Sequence, residues 1–183
     1  MVVPSHPFDK KEIEKGDCSI WRYRSFFPAE IQQAQGTLGA GGTPLLPTKI
    51  DDREIYLKLD YLNPTDSFKD RGVELMMSAL ALAGVEEVVE DSSGNAGASV
   101  AAYAARLGMR ASIFSPTSAS AAKLAQIAIY GANIHTIPGE RQNATEAAYK
   151  ALEEGMVYAS HAWNPIYLLG QQTAAWEVWE QHG

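Results

Sequence analysis

The stretch Val85-Glu86-Glu87-Val88-Val89-Glu90-Asp91-Ser92-Ser93-Gly94-Asn95-Ala96-Gly97-Ala98-Ser99 decides the fold. Residues 85–92 carry the short apolar run of a strand, and residues 96–107 read as an alanine-rich helix closed by Gly108. Downstream the alternation recurs, with strands at 110–115, 133–138 and 156–160 and helices at 119–130, 143–154 and 168–181. Upstream, residues 54–59 alternate polar and apolar side chains as a strand does. Residues 73–84 repeat Leu75, Met76, Ala79, Leu80 and Ala83 at helical spacing before Gly84 stops them. Short links between strands and helices imply parallel strands with right-handed crossovers. The expected fold is α/β: an open, mostly parallel twisted sheet with helices on both faces. Residues 1–48 read as irregular, because Pro4, Pro7 and Pro28 and the cluster Gly36, Gly39, Gly41 and Gly42 favour turns.

Composition removes several classes of function. Hydrophobic residues make up 46% of the 183, enough to build a core. A net charge of -7 argues against the basic stripe of a nucleic-acid binder. The single cysteine, Cys18, excludes an internal disulfide framework, and no H-x-x-H or H-E-x-x-H spacing points to a metal. No apolar run reaches membrane-spanning length and residues 1–15 hold no leader-like apolar core, so a cytoplasmic globular protein is expected. His135, inside a predicted strand, and His161, at a strand end, are read as structural. Trp176 and Trp179 are read as facing a core or a partner.

In open α/β sheets, ligands gather where strands end and loops lead into helices. Two loops qualify. The first is Asn63-Pro64-Thr65-Asp66-Ser67-Phe68-Lys69-Asp70-Arg71-Gly72. A lysine attacks a carbonyl only as the neutral amine. Ser67 reads as a helix N-cap and Asp70 as its S-x-x-D partner, which puts Lys69 in a first turn. There the unpaired N–H groups, the helix dipole and desolvation all disfavour the ammonium ion. Phe68 and Met76 or Met77 are expected to supply an apolar wall. A solvated lysine beside Asp70 and Arg71 has the same local signature, so this loop alone does not decide. The second loop, Ser92-Ser93-Gly94-Asn95-Ala96-Gly97, offers a helix N-terminus and side-chain donors to a carboxylate or phosphate. Its G-x-x-G spacing is not the dinucleotide fingerprint, and no P-loop lysine follows.

Taken together, the loops resemble those of fold-type II pyridoxal 5'-phosphate (PLP) enzymes, the tryptophan synthase beta superfamily. Phe68 and Asp70-Arg71-Gly72 are most similar to threonine synthase. Matching pieces are Trp21-Arg22-Tyr23-Arg24, Gly41-Gly42-Thr43-Pro44-Leu45, Ala101-Ala102-Tyr103-Ala104-Ala105 and Gly170-Gln171-x-Thr173. The resemblance runs from about residue 20 to residue 183. It implies a PLP-dependent lyase-type activity of amino-acid biosynthesis, with elimination or replacement at the β or γ carbon of an amino-acid substrate, and a homodimer. Lys69 would hold the cofactor as a Schiff base and then move protons, Asn95 would hydrogen-bond the cofactor's 3′ oxygen, and Phe68 would pack near its ring. Ser92, Ser93, Gly94, Asn95, Ala96 and Gly97 would cradle the substrate carboxylate. The implied layout is the start of a large PLP domain at 1–60, a small mobile α/β domain at 61–165, and a helix returning to the large domain at 166–183.

The chain also departs from that pattern. Position 66 is Asp where the family usually has Gly, which adds a carboxylate close to Lys69. Where threonine synthases carry a stretch like N-S-x-N-P-x-R for substrate phosphate, this chain has His161-Ala162-Trp163-Asn164-Pro165-Ile166-Tyr167, without the arginine, and Gln172 where Lys is frequent. A phosphate dianion lacking a cation partner is poorly held, which counts against O-phosphohomoserine. The family's glycine loop for the PLP phosphate would fall beyond residue 183, so an N-terminal portion, not competent alone, is expected. The rival readings are a serine/threonine dehydratase, a cysteine synthase-like enzyme, and a non-catalytic binding module that keeps the fold.

Overall fold

A computed structural model describes residues 4–36, 38–153 and 155–183. The chain opens with 3-10 turns at Lys10–Glu12 and Ile20–Phe26 and a short α1 (Ala29–Gln32). An antiparallel pair follows, β1 (Leu45–Ile50) and β2 (Arg53–Lys58), then a 3-10 turn at Asp60–Leu62 and α2 (Lys69–Leu82). From there strands and helices alternate: β3 (Glu87–Glu90), α3 (Asn95–Leu107), β4 (Arg110–Pro116), α4 (Ala121–Ile129), β5 (Asn133–Ile137), α5 (Arg141–Leu152), β6 (Val157–Tyr158) and α6 (Pro165–His182).

The four later strands form one parallel sheet in the order β5-β4-β3-β6. Successive strand residues point to opposite faces, and the sheet is covered on both. Val88 and Ile113 enter a core with Val73, Met77, Val100 and Tyr103 of α2 and α3. Their neighbours Val89 and Phe114 pack instead with Ala144, Ala148 and Ala151 of α5. Each fully buried side chain of this size stabilises the fold by roughly 1.5–3 kcal/mol. The chain steps from β3 to β4 to β5 and then returns to the far side of β3. Strand order therefore reverses between β3 and β6, and the carboxyl ends of those two strands flank the crevice where such sheets bind ligands.

The N-terminal segment is not loose. Ile20, Trp21, Tyr23, Phe26 and Phe27 are fully buried with Leu75 of α2 and Leu169 of α6, forming a second core. Trp176 joins it, stacked on Phe8 at 5.4 Å between ring centres. β1 was not anticipated, because Pro47 sits within it. A two-stranded hairpin has edges that tolerate proline. Asp51 and Asp52 turn it, both in the left-handed region with φ 49° and 60°, as tight hairpin turns require. α2 begins at Lys69 rather than at residue 73, and α6 at Pro165 rather than at 168. The second shift has a cap as its cause: Asn164 Oδ1 accepts the Ile166 N–H at 2.9 Å, and Pro165 fills the first helical position. The expected end of α5 at Glu154 lies outside the described residues, as do Met1–Val3 and Thr37 of the segment read as irregular.

Candidate active site

Lys69 stands in the first turn of α2, half-buried, as its sequence predicts. The turn is built differently from the expected capping box. Ser67 Oγ does accept the Lys69 N–H at 3.2 Å. Asp70, however, turns away from Ser67: its carboxylate accepts the Thr65 N–H at 2.6 Å, the Thr65 hydroxyl at 2.5 Å and the Ser99 hydroxyl at 2.5 Å. Asp70 is fully buried, and burial pushes its carboxyl above the usual range while these three hydrogen bonds pull the other way. The walls around the amine also differ from expectation. Nζ lies 4.6 Å from the centre of the Phe68 ring and 5.7 Å from that of Tyr167. Met76 and Met77 are fully buried in the core beneath, about two turns along the helix. Desolvation lowers the Lys69 pKa, and the carboxyl that opposes the shift is Glu90 rather than Asp66. Asp66 has φ 60°, a conformation that favours glycine and that Asp tolerates, so the family's usual residue there answers to backbone geometry.

The rest of the lysine motif is structural. Arg71 is fully buried, and its guanidinium forks onto Asp60 with two contacts of 2.8 Å. It also bonds Thr43 Oγ1 at 2.9 Å, Thr173 Oγ1 at 3.4 Å, and Glu177. Lys58 meets the same Glu177 at 3.2 Å. Thr43, Arg71 and Thr173 come from three separate matching pieces of sequence, and they converge on this one cluster. Gly72 and Gly170 let α2 and α6 touch: a Cβ on Gly72 would sit 2.4 Å from the Tyr167 ring, and one on Gly170 2.4 Å from the Arg71 carbonyl.

The second loop leaves β3 and enters α3 at Asn95. Ser92 is buried, Ser93 and Gly94 half-buried and Asn95 exposed, followed by buried Ala96 and Gly97. Residues 95–97 form the first helical turn, where N–H groups lack intrahelical partners. Gly97 permits the loop to close on its own helix, since a Cβ there would meet the Ser92 carbonyl oxygen at 1.8 Å. Asp91 anchors the loop from below, accepting from the Thr145 hydroxyl at 2.5 Å and the Tyr158 hydroxyl at 2.8 Å. Ser92 Oγ accepts the Gly94 N–H at 3.4 Å. Asn95 Oδ1 accepts from Lys123 Nζ of α4 at 2.5 Å, so Lys123 reaches the mouth of this turn.

Glu90 escaped the sequence reading, and His161 was read there only as structural. Glu90, the last residue of β3, is fully buried, and its Oε1 contacts His161 Nδ1 at 2.8 Å. His161 follows β6 and so lies beside Glu90 at the strand-order reversal. Its ring is edge-on to Tyr167 at 6.1 Å, and the Tyr167 ring in turn faces Lys69. No local motif links the two; their partnership appears only when β6 lies beside β3.

A cofactor that carries an aldehyde needs a primary amine that is neutral and open to approach. Lys69 is half-exposed and its ammonium form is disfavoured by desolvation, so the chemistry of the donor fits such a group. The chain is 34% identical over 178 residues to a threonine synthase of Methanocaldococcus jannaschii, a match covering 94% of this chain and 44% of that protein. It is 39% identical over 166 residues to a threonine synthase of Synechocystis sp., covering 87% and 44%. Among solved structures, a threonine deaminase from T.th. superposes with a TM-score of 0.68 at 33% identity, over 76% of this chain and 46% of that one. The chain thus spans somewhat under half the length of these relatives. Residues 36–183 match the family described as pyridoxal-phosphate dependent enzyme, and the chain belongs to that family, whose cofactor is pyridoxal 5'-phosphate.

Proposed function

We propose that this chain carries the cofactor lysine and the carboxylate loop of a PLP enzyme that performs elimination or replacement at the β or γ carbon of an amino acid, as threonine synthase does. One observation carries the reading. The 2.5 Å hydrogen bond from Ser99 to Asp70 ties the first turn of α2 to the start of the second turn of α3, which fastens the Lys69 helix to the helix whose first-turn N–H groups, residues 95–97, face an anion. Lys69 would hold the cofactor's aldehyde carbon and later accept or return a proton at Nζ. Phe68 and Tyr167 flank that nitrogen with their rings. Asn95 would donate its side-chain amide N–H to the cofactor's 3′ oxygen while its Oδ1 accepts from Lys123. Ser92, Ser93, Gly94, Ala96 and Gly97 would hold the substrate carboxylate. When bound, the cofactor supplies the electron sink, while the protein orients the breaking bond and controls the protons. We further propose that residues 61–165 form the small mobile unit of the whole enzyme, residues 1–60 and 166–183 part of its larger one, and that the enzyme is a homodimer.

The test is incubation of the whole enzyme with PLP, borohydride reduction and peptide mapping. A single phosphopyridoxyl adduct on Lys69 is expected. Scattered adducts, or none, would overturn the reading in favour of a binding module that retains the fold. A second reading concerns the substrate. Tyr167 stands where threonine synthases carry the phosphate-binding arginine, and it is buried against Gly72. This favours an unphosphorylated amino acid, as used by a dehydratase or a cysteine synthase-like enzyme. Turnover of serine or threonine in preference to O-phosphohomoserine by the whole enzyme would decide for it.

A further inference from the structure

The pair Glu90–His161 lies outside the roles assigned above, and its placement asks for one. A glutamate with 0% exposure at the end of a central strand is costly to keep charged. It touches one imidazole, through Oε1 at 2.8 Å, while Oε2 has no well-formed hydrogen-bond partner among the described residues. A residue needed only for packing would be satisfied by an apolar side chain here. Its surroundings make a chain to the reactive amine: Glu90 meets the His161 ring, the ring lies edge-on to Tyr167, and Tyr167 faces Lys69 Nζ at 5.7 Å.

From this juxtaposition we infer that Glu90 and His161 form a positioning pair for Lys69, holding a buried negative charge that decides how readily the amine gives up its proton. The inference rests on Lys69 being the reacting amine. With His161 protonated, the pair is neutral overall and leaves Lys69 free to lose its proton. With His161 neutral and Glu90 ionised, the pair carries one buried negative charge, and the proton is drawn to Nζ. Proton loss from the pair and proton gain by Lys69 are therefore linked. The other groups facing these residues do not replace this role. Asp91 is engaged by Thr145 and Tyr158, and Asp70 by Thr65 and Ser99. Tyr158 and Tyr167 are held neutral by burial, which raises both hydroxyls above their usual range. Burial pushes the Glu90 carboxyl above its usual range, and the ring and backbone amide of His161 pull it back toward the ionised form, in which it raises Lys69 against desolvation.

The test needs no turnover. The chain is labelled with a small amine-reactive acylating reagent across a pH series, and the rate at Lys69 is read by peptide mass spectrometry with Lys150 as internal reference. In Glu90→Gln the midpoint for Lys69 is expected to fall by about one pH unit, the scale of a nearby opposite charge, giving about tenfold faster labelling at neutral pH. An unchanged midpoint in a folded E90Q chain overturns the pair. Should E90Q fold poorly, the same series is run on Glu90→Met, which suits an apolar site, and an unchanged Lys69 midpoint is equally fatal. Failure of PLP to label Lys69 selectively, with the acylation midpoint still sensitive to E90Q, would instead count against the cofactor-lysine reading alone.

Discussion

Lys69 is lowered from a usual value of 10.5 by desolvation, and the shift has a consequence for stability. Folding favours its neutral form, so what the group contributes is fully present above 10.5 and is lost as pH falls through the lowered folded value. Near neutral pH the half-buried ammonium is a burden. Lys69→Met should therefore abolish the reduced PLP adduct while leaving the urea midpoint at pH 7 equal to or above that of the native chain. The difference should close as pH approaches 10.5. A K69M chain that is weaker at every pH would contradict this assignment of the shift. Gly97 makes a second prediction at this scale. In Gly97→Ala the new methyl group would meet the Ser92 carbonyl, a backbone atom that cannot rotate aside. A loss of about 1–3 kcal/mol is expected, read by urea unfolding, with new proteolytic cleavage between residues 91 and 97. Wild-type resistance to protease would show that the loop absorbs the methyl group.

Among the elements, α2 and α6 depend on each other through Arg71. Its removal would leave Asp60 and Glu177 near one another with Lys58 as the remaining cation. Arg71→Met should cost about 3–5 kcal/mol of unfolding free energy, as expected when one partner of a buried ion pair is removed. Arg71→Lys should recover little of this, because an ammonium cannot fork onto Asp60 as the guanidinium does. Full recovery by R71K would reduce the cluster to simple charge pairing. The sequence made this sheet legible because its strands and helices are short, regular and separated by glycines such as Gly84, Gly108 and Gly131. Lys69, Asn95 and the 92–97 loop were legible because each lies within one contiguous motif. β1 was hidden by Pro47, whose effect depends on whether the strand has a free edge. Glu90 and His161 were hidden for a different reason. They lie 71 residues apart, and periodicity carries no information about which strands become neighbours. Arg71 was visible as a letter of the motif, but its partners come from the 3-10 turn after β2, a loop and α6.

At the scale of the molecule, two cores share α2 as a common wall: Met76 and Met77 face the sheet, and Leu75 faces the aromatic cluster of residues 8–34. The N-terminal segment covers α6, with Phe8 against both Trp176 and Trp179 and Lys10 5.0 Å above the Trp179 ring. Phe8→Ala should shift tryptophan fluorescence to the red and lower stability by about 2 kcal/mol, less than a fully buried phenylalanine would cost. Unchanged emission would mean that residues 4–12 do not hold the helix in solution.

The order of strands in the sheet also has a meaning in time. β3 is made early, yet its neighbour β6 and the histidine behind it are made some 70 residues later. At ordinary rates of synthesis that interval is several seconds or more. Through all of it Glu90 must wait in water, ionised and unpaired, while β3, β4 and β5 can already associate. The crevice closes only with the arrival of β6, so a nascent chain carries Lys69 for a while without the partner strand that completes its surroundings.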